Sequence, residues 1–288
     1  MPEGDTVWRA ARQLHSALAG QVLTRSDFRV PRYATTDLAG RAVHEAVPRG
    51  KHLLIRVDGG ITVHTHLKMD GIWRIRPVPG SGTAAGAGSG SRTGARFRSG
   101  SGYSLSDHRI RLILANQRWQ AVGYRLGIVE VLATKNEHRV VGHLGPDLLG
   151  PDWDAAEAVR RLAADPARTA GEAILDQRNL AGIGNVYKSE VLFLRGIHPW
   201  RPIGDVPDLP GLVELARRML EDNKERIDRV LTGSDARGEK TWVYGRRHEA
   251  CRRCGTPVRS GELGPVTEER ITYWCPHCQP EHHPPGPG

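Results

Sequence analysis

Along residues 5–19 apolar side chains recur at Val7, Ala11, Leu14 and Leu18, with polar positions between them. Spacings of three and four put these four on one face of a helix, and Asp5 stands where an N-cap would. From about residue 21 to 145 the texture changes. Short runs of Val, Ile and Leu, such as HLLIRVDGG, ITVHTHL, IWRIR, RIRLILAN and GIVEVLAT, are punctuated by Gly, Pro and Asp-Gly. Several short strands at this spacing predict a sandwich or barrel. After LGPDLLG, helical periodicity returns over 152–164, 169–180, 185–196 and 208–230. A small cysteine-bearing module follows at 245–279.

Residues 79–102 interrupt the strand-rich region. They hold eight Gly and five Ser in twenty-four positions, no acidic residue, and Arg92, Arg96 and Arg98. Such a stretch cannot bury enough apolar surface to offset its ordering entropy. It reads as a disordered insertion between two strands, with a lid as the alternative.

Charge narrows the partner. Among 288 residues, 41 Lys/Arg against 32 Asp/Glu give a net charge of +9 and a pI near 9.8. That balance points to a polyanion, above all nucleic acid. Between 236 and 259 there are seven Lys/Arg (Arg237, Lys240, Arg246, Arg247, Arg252, Arg253 and Arg259) against Glu239 and Glu249. The contrast suits phosphate contact, including by Arg246; a plain solvated face is the alternative. No apolar run is long enough to cross a bilayer and no signal-peptide pattern opens the chain. The expectation is a soluble, cytosolic protein with no membrane partner.

All four cysteines fall in Cys251-x2-Cys254-x20-Cys275-x2-Cys278. In a reducing compartment two such knuckles read as a tetrahedral site for one structural Zn2+. Four sulfurs close the coordination sphere and leave no position for a substrate. His248, His277, His282 and His283 lie nearby, but no ligand is missing.

Four further segments carry candidate chemistry. Once Met1 is removed, MPEGDTVW presents Pro2 as a secondary amine, and a free α-amine titrates near pKa ~8. Condensed with an aldehyde carbon it gives a cationic iminium, an electron sink, with Glu3 beside it to donate or accept a proton. In ILDQRNLAGIGNVYKSEVLF two helical patterns meet at a glycine turn that Asn185 follows. Asn185 suits N-capping and phosphate binding equally. In PRGKHLLIRV, Lys51 ends an apolar strand face, either snorkelling outward or standing at a cleft mouth. In THLKMDGIW, Asp70-Gly71 signals a hairpin that leaves Lys68 and Met69 near its tip, where an exposed apolar side chain suits insertion between bases. His64 and His66 read as a polar strand face, since an HxH metal pair would lack a third ligand.

Taken together, MPEGDTV, PRGKHLL, HLKMDG, LDQRNLAGIGNVYKSE, VYGR and the CxxC…YWCPHC ending resemble the formamidopyrimidine-DNA glycosylase/endonuclease VIII family, from the first residue to about Gln279. The glycine-rich insertion and the ending EHHPPGPG stand outside the match. The resemblance implies an α+β multidomain chain. Residues 1–145 would form an N-terminal β-sandwich with its helix, 146–240 a helix–two-turn–helix domain, 241–279 a zinc ribbon, and 280–288 a tail. It implies a bifunctional DNA glycosylase and abasic-site lyase of base-excision repair, acting as a monomer on damaged double-stranded DNA in the cytoplasm at the nucleoid. Use of single-stranded DNA stays open. Pro2 would be the nucleophile and Glu3 would protonate the sugar. Lys51 would act at the lesion, Asn185 would hold a flanking phosphate, Met69 would fill the void, and Arg270 would grip phosphate.

Within the family, MPEGDTVW looks closer to the endonuclease VIII branch. The eleven residues 231–241 are too few to fold over an everted purine. Oxidised pyrimidines are therefore the expected substrates, released with β,δ-elimination. Met69 dissents, because the purine branch also uses a methionine wedge, so preference for 8-oxoguanine or formamidopyrimidine is the alternative. A non-catalytic zinc-ribbon DNA-binding protein is the alternative from another class, and Pro2, Glu3 and Lys51 together argue against it.

Overall fold

The computed structural model describes residues 2–78, 106–267 and 269–281. The insertion expected at 79–102 lies outside the described residues, as do residues 282–288 of the tail. Helix α1 (Gly4–Leu18) forms where periodicity predicts it, with Val7, Ala11, Leu14 and Leu18 buried. Its N-cap position is Glu3 rather than the expected Asp5. Asp5 lies inside the first turn, where Arg229 and Tyr187 donate to its carboxylate.

Eight strands follow: β1 (Arg25–Phe28), β2 (Val43–Arg49), β3 (His52–Val57), β4 (Ile61–His66), β5 (Ile72–Pro77), β6 (Ile110–Ala115), β7 (Trp119–Tyr124) and β8 (Ile128–Ala133). They make two antiparallel four-stranded sheets, ordered β1-β6-β7-β5 and β2-β3-β4-β8. Leu53, Ile55 and Val63 of one sheet share a core with Trp73, Leu112 and Leu114 of the other, and α1 packs into the same core. The result is a β-sandwich with its N-terminal helix.

Asp70-Gly71 does not make the expected hairpin. β4 pairs with β3 and β8, whereas β5 pairs with β7 in the other sheet. The 67–71 turn is a crossover between sheets. Lys68 adopts φ 52°, and Gly71 N–H closes on the Leu67 carbonyl at 2.9 Å. A Cβ at Gly71 would stand 2.4 Å from that oxygen, so only glycine fits.

The helical part comprises α2 (His138–Val141), α3 (Ala155–Ala163), α4 (Ala170–Leu175), α5 (Asn185–Leu194) and α6 (Leu209–Asn223). Asp154, Thr169 and Asp208 cap α3, α4 and α6 with their side chains. Helix α6 ends seven residues short of the predicted 230, because Asn223 turns back to accept from Val230 N–H at 2.7 Å. Ile174, Ile183, Tyr187, Leu212 and Leu220 are among the fully buried side chains of this second core. Last, β9 (Arg259–Leu263) and β10 (Arg270–Trp274) form an antiparallel hairpin beside the four cysteines.

Helix α5 joins the three parts. Its N-terminus meets residues 3–5, and its Phe193 packs with Val243 and Val258 of the cysteine module. Glu190, also on α5, is buried and accepts three backbone N–H groups from Trp242, Val243 and Tyr244 at 2.7–2.9 Å.

Candidate active site

Glu3 is buried, and its carboxylate sits on the N-terminus of α5. Gly184 N–H and Val186 N–H each donate to it at 2.8 Å, and Tyr187 N–H at 3.4 Å. Unsatisfied N–H groups and the helix dipole make that end a natural seat for a carboxylate. The approach is close: a Cβ at Gly184 would lie 2.4 Å from Glu3 Cδ. Gly4 N–H also donates to the Gly182 carbonyl at 2.8 Å. The glycine turn thus anchors the chain immediately after Pro2.

That anchoring puts Pro2 where two clefts meet, with Met69 the other residue common to both. One cleft, of about 480 Å³, also has Lys51, His66, Lys68, Asn185 and Arg270 in its wall. Arg168 and Arg178 line it too, but both pair with Asp176. Lys51, Lys68 and Arg270 make no ion pair among the described residues, which leaves their charge available to an anion. The other cleft, of about 620 Å³, is mixed: Leu67, Ile72, Trp73 and Ile227 give it apolar walls, and Asp5, Arg9, Asp70, Asp228 and Arg229 give it charged ones. Met69 is 56% exposed at the ridge between them.

Lys51 lies in the tight turn before β3. Gly50 N–H donates to Asp147 Oδ2 at 2.7 Å and pins that turn against the helical part. Burial pushes the Lys51 ammonium pKa down; Glu3 opposes the shift, and Arg270 and Arg229 add to it. The four groups therefore share one electrostatic environment.

Asn185 is the first residue of α5, and the N-cap position belongs to Gly184, so the capping alternative fails. Its Nδ2 donates to the Ile271 carbonyl at 2.8 Å. Arg270, exposed at the start of β10, faces the cleft from the hairpin. Arg246 is placed elsewhere. It is buried, and its guanidinium donates to Glu249 and to the Trp242 and Ala250 carbonyls at 2.6–3.0 Å. With three of its five N–H donors engaged inside the cysteine module, it ties that module together and lines neither cleft at Pro2.

The His64/His66 face is polar but largely covered. His64 contacts Glu130 at 3.0 Å and His52 at 2.8 Å. Burial, reinforced by the neighbouring histidines and by Lys68, lowers His52 to about 3 and His66 to about 4, so both are neutral near pH 7.

Sequence reasoning did not find Gln177, Lys188 or Arg229. Gln177 donates to the Leu175 and Ile183 carbonyls and accepts from Gly182 N–H, which fixes the glycine turn. Its place inside LDQRNLAGIG was the available signal. Arg229 gave none, since its partner Asp5 is 224 residues away.

The four cysteine Sγ atoms lie within 4.8 Å of one another, with Cys251–Cys278 at 4.0 Å and Cys254–Cys275 at 3.5 Å. Tetrahedral zinc with Zn–S near 2.3 Å separates its sulfurs by about 3.8 Å. Arg253 N–H and Cys278 N–H point at the Cys251 and Cys275 sulfurs. The cluster is therefore a candidate metal site of zinc-ribbon type.

Comparison with known proteins agrees with this geometry. The sequence profile of the formamidopyrimidine-DNA glycosylase N-terminal domain matches residues 1–113, and that of the formamidopyrimidine-DNA glycosylase H2TH domain matches residues 144–207. The chain is 55% identical to the probable endonuclease 8 2 of Streptomyces coelicolor, over 97% of this chain and 94% of that protein. It is 46% identical to the DNA-(apurinic or apyrimidinic site) lyase Nei2 of Mycolicibacterium smegmatis, over 97% and 99%. In fold it is similar to the Lactococcus lactis Fpg solved with DNA containing an abasic site, with a TM-score of 0.71, 22% identity, and 97% and 100% of the chains covered. The chain belongs to the formamidopyrimidine-DNA glycosylase/endonuclease VIII family of base-excision-repair enzymes, which are DNA glycosylases and abasic-site lyases in one.

Proposed function

We propose that this protein removes oxidised pyrimidines from DNA through a Schiff base on Pro2 and then cuts the strand by β,δ-elimination. The observation that carries this reading is the position of Pro2. It stands at the junction of a cationic cleft and a second cleft of mixed apolar and charged walls, held there by the Glu3 carboxylate on α5.

An everted nucleotide has two unlike ends. Its phosphates suit Lys51, Lys68 and Arg270, and its base, flat and edged with polar atoms, suits the mixed walls of the second cleft. Eversion has an unstacking cost of a few kcal/mol, smaller for a damaged base. Met69, exposed on the ridge, would occupy the emptied stack. The Pro2 nitrogen attacks C1′, the glycosidic bond breaks, the base leaves with a proton, and the sugar stays on Pro2 as an iminium. That cation acidifies the C2′ proton. Its removal expels the 3′ phosphate, and a second elimination expels the 5′ phosphate. Glu3 supports ring opening beside the forming cation. Lys51, its ammonium pKa lowered by burial, is placed to exchange protons during the eliminations.

The lesion preference rests on the chain after α6. Residues 231–241 close on themselves: Leu231 N–H donates to the Lys240 carbonyl at 2.8 Å, and Trp242 Nε1 to the Leu231 carbonyl at 2.9 Å. None of them lines either cleft at Pro2. A base in the second cleft meets only the short 227–229 segment from that side, which suits a smaller pyrimidine. Single-turnover rates on matched duplexes test this. Thymine glycol, dihydrouracil or 5-hydroxyuracil should be excised faster than 8-oxoguanine, and 8-oxoguanine opposite cytosine as the fastest substrate would reverse the branch assignment.

One Zn2+ would sit on Cys251, Cys254, Cys275 and Cys278. Within the module Val243 and Val258 join Phe193 and two cysteines in a small apolar core, with Trp242 and Tyr273 packed against it. Bound there, the metal would tie the two knuckles together and keep the hairpin that carries Arg270 in place. Among the described residues no helix is long and apolar enough to cross a membrane. We place the enzyme, as a monomer, on damaged double-stranded DNA in the cytoplasm.

A further inference from the structure

Lys188 is a buried amine that the chemistry above leaves unused. It lies on α5 three residues after Asn185, is fully buried, and donates from Nζ to Thr272 Oγ1 at 2.5 Å. Thr272, also fully buried, donates in turn to the Arg270 carbonyl at 3.1 Å. Asn185, one turn earlier, holds the Ile271 carbonyl. Two side chains on one face of α5 thus grip residues 270–272, where β10 begins. Burying an amine is costly unless its hydrogen bonds are needed, and an apolar side chain would fill the same space without that cost. Lys188 does not line either cleft at Pro2, so it does not reach the sugar as a second nucleophile. Its amine leads instead, through Thr272, to the residue that bears the free guanidinium of the cationic cleft.

We infer that Lys188 is a positioning residue for Arg270, holding the start of β10 so that the guanidinium meets a lesion-flanking phosphate. The inference rests on the reading of Arg270 as a phosphate contact. A double-mutant cycle on the zinc-loaded full chain tests it, with strand cleavage of an abasic-site duplex as the assay. Lys188→Met should raise KM on the order of tenfold, the scale of one lost charge-assisted hydrogen bond, with kcat little changed. Thr272→Val, which keeps the shape and removes the acceptor, should do the same, and it stands in for Lys188→Met if that variant folds poorly. In an Arg270→Ala background neither change should add a further loss. Wild-type KM in Thr272→Val, or losses that multiply in the Arg270→Ala background, would overturn the inference while leaving the phosphate reading intact. Arg270→Ala with a wild-type KM would instead overturn the phosphate reading, and this inference with it.

Discussion

Asp5 and Arg229 meet in a two-bond ion pair across 224 residues of chain: Arg229 Nε donates to Asp5 Oδ2 and its terminal nitrogen to Oδ1, both at 2.7 Å. Tyr187 on α5 adds a hydroxyl donor to the same carboxylate at 3.0 Å, and the guanidinium lies over the Tyr187 ring. The first turn of α1 is thereby fastened to α5 and to the chain after α6, two residues from Pro2.

Breaking this pair should loosen the N-terminus. Burial works to raise the Asp5 pKa, but the Arg229 and Tyr187 contacts overcome it and lower the value below that of a free carboxylate. The contribution to stability is then full above the unfolded pKa of about 3.9 and lost as pH falls through the lower folded value. Asp5→Asn takes one carboxylate from the buried Arg229 guanidinium, with Glu3 still acting on it, and should cost about 1–3 kcal/mol near pH 7. Thermal melts at pH 7 and pH 3 check it: the gap between wild type and Asp5→Asn should narrow in acid, and a gap independent of pH would count against the pair.

Glu3→Gln separates anchoring from charge. The amide keeps one acceptor oxygen but turns an NH2 group toward the Gly184 or Val186 N–H. One buried donor then lacks a partner, at roughly 1–3 kcal/mol. Base excision should fall far more than this loss of stability accounts for, because the carboxylate beside the forming cation is gone. Gly184→Ala provides the converse, with Glu3 intact but displaced by a Cβ 2.4 Å from its Cδ. Both variants should melt as folded proteins and be slow at excision. Wild-type rates in Gly184→Ala would show that the position of Glu3 is unimportant.

Borohydride should trap the protein on abasic DNA, since reduction fixes the iminium. Retaining Met1 or adding an N-terminal tag should abolish trapping, because an acylated Pro2 nitrogen has no free electron pair to attack with. Pro2→Gly keeps an amine and should keep part of the signal. Undiminished trapping by blocked protein would move the nucleophile to Lys51.

Much of this was legible in the sequence because it depends on local pattern. The period of α1, the short apolar runs of β3, β4 and β6, and the paired CxxC knuckles are short-range signals. Expectations failed where tertiary contacts redirect a side chain. Asp5 has the chemistry of a cap but is engaged by Arg229. Asp70-Gly71 has the composition of a hairpin but joins two sheets. Arg246 lies in a basic run, yet its guanidinium faces inward to carbonyls. The buried contacts of Lys188 were equally hidden, since a lysine four residues into a helix reads as solvated until β10 is known to cover it.

Removing the metal should separate folding from activity in one experiment. Among the described residues, the β-sandwich core is built from α1, the two sheets and their connections, without any residue of the cysteine module. Cys275→Ser removes one of four thiolates, and the small core around Phe193, Val243 and Val258 cannot hold the module unaided. Chelation or Cys275→Ser should therefore abolish DNA cleavage, because Arg270 and the contacts of Asn185 and Lys188 to residues 271–272 all depend on the hairpin. Amide exchange in β3, β4 and β6 should stay slow throughout, since opening those strands does not require the module to be ordered. Metal analysis should give one zinc per active chain. Full activity with no zinc would remove the metal from the account, and loss of protection in the sandwich strands would mean that the module supports the whole fold rather than the grip on DNA alone.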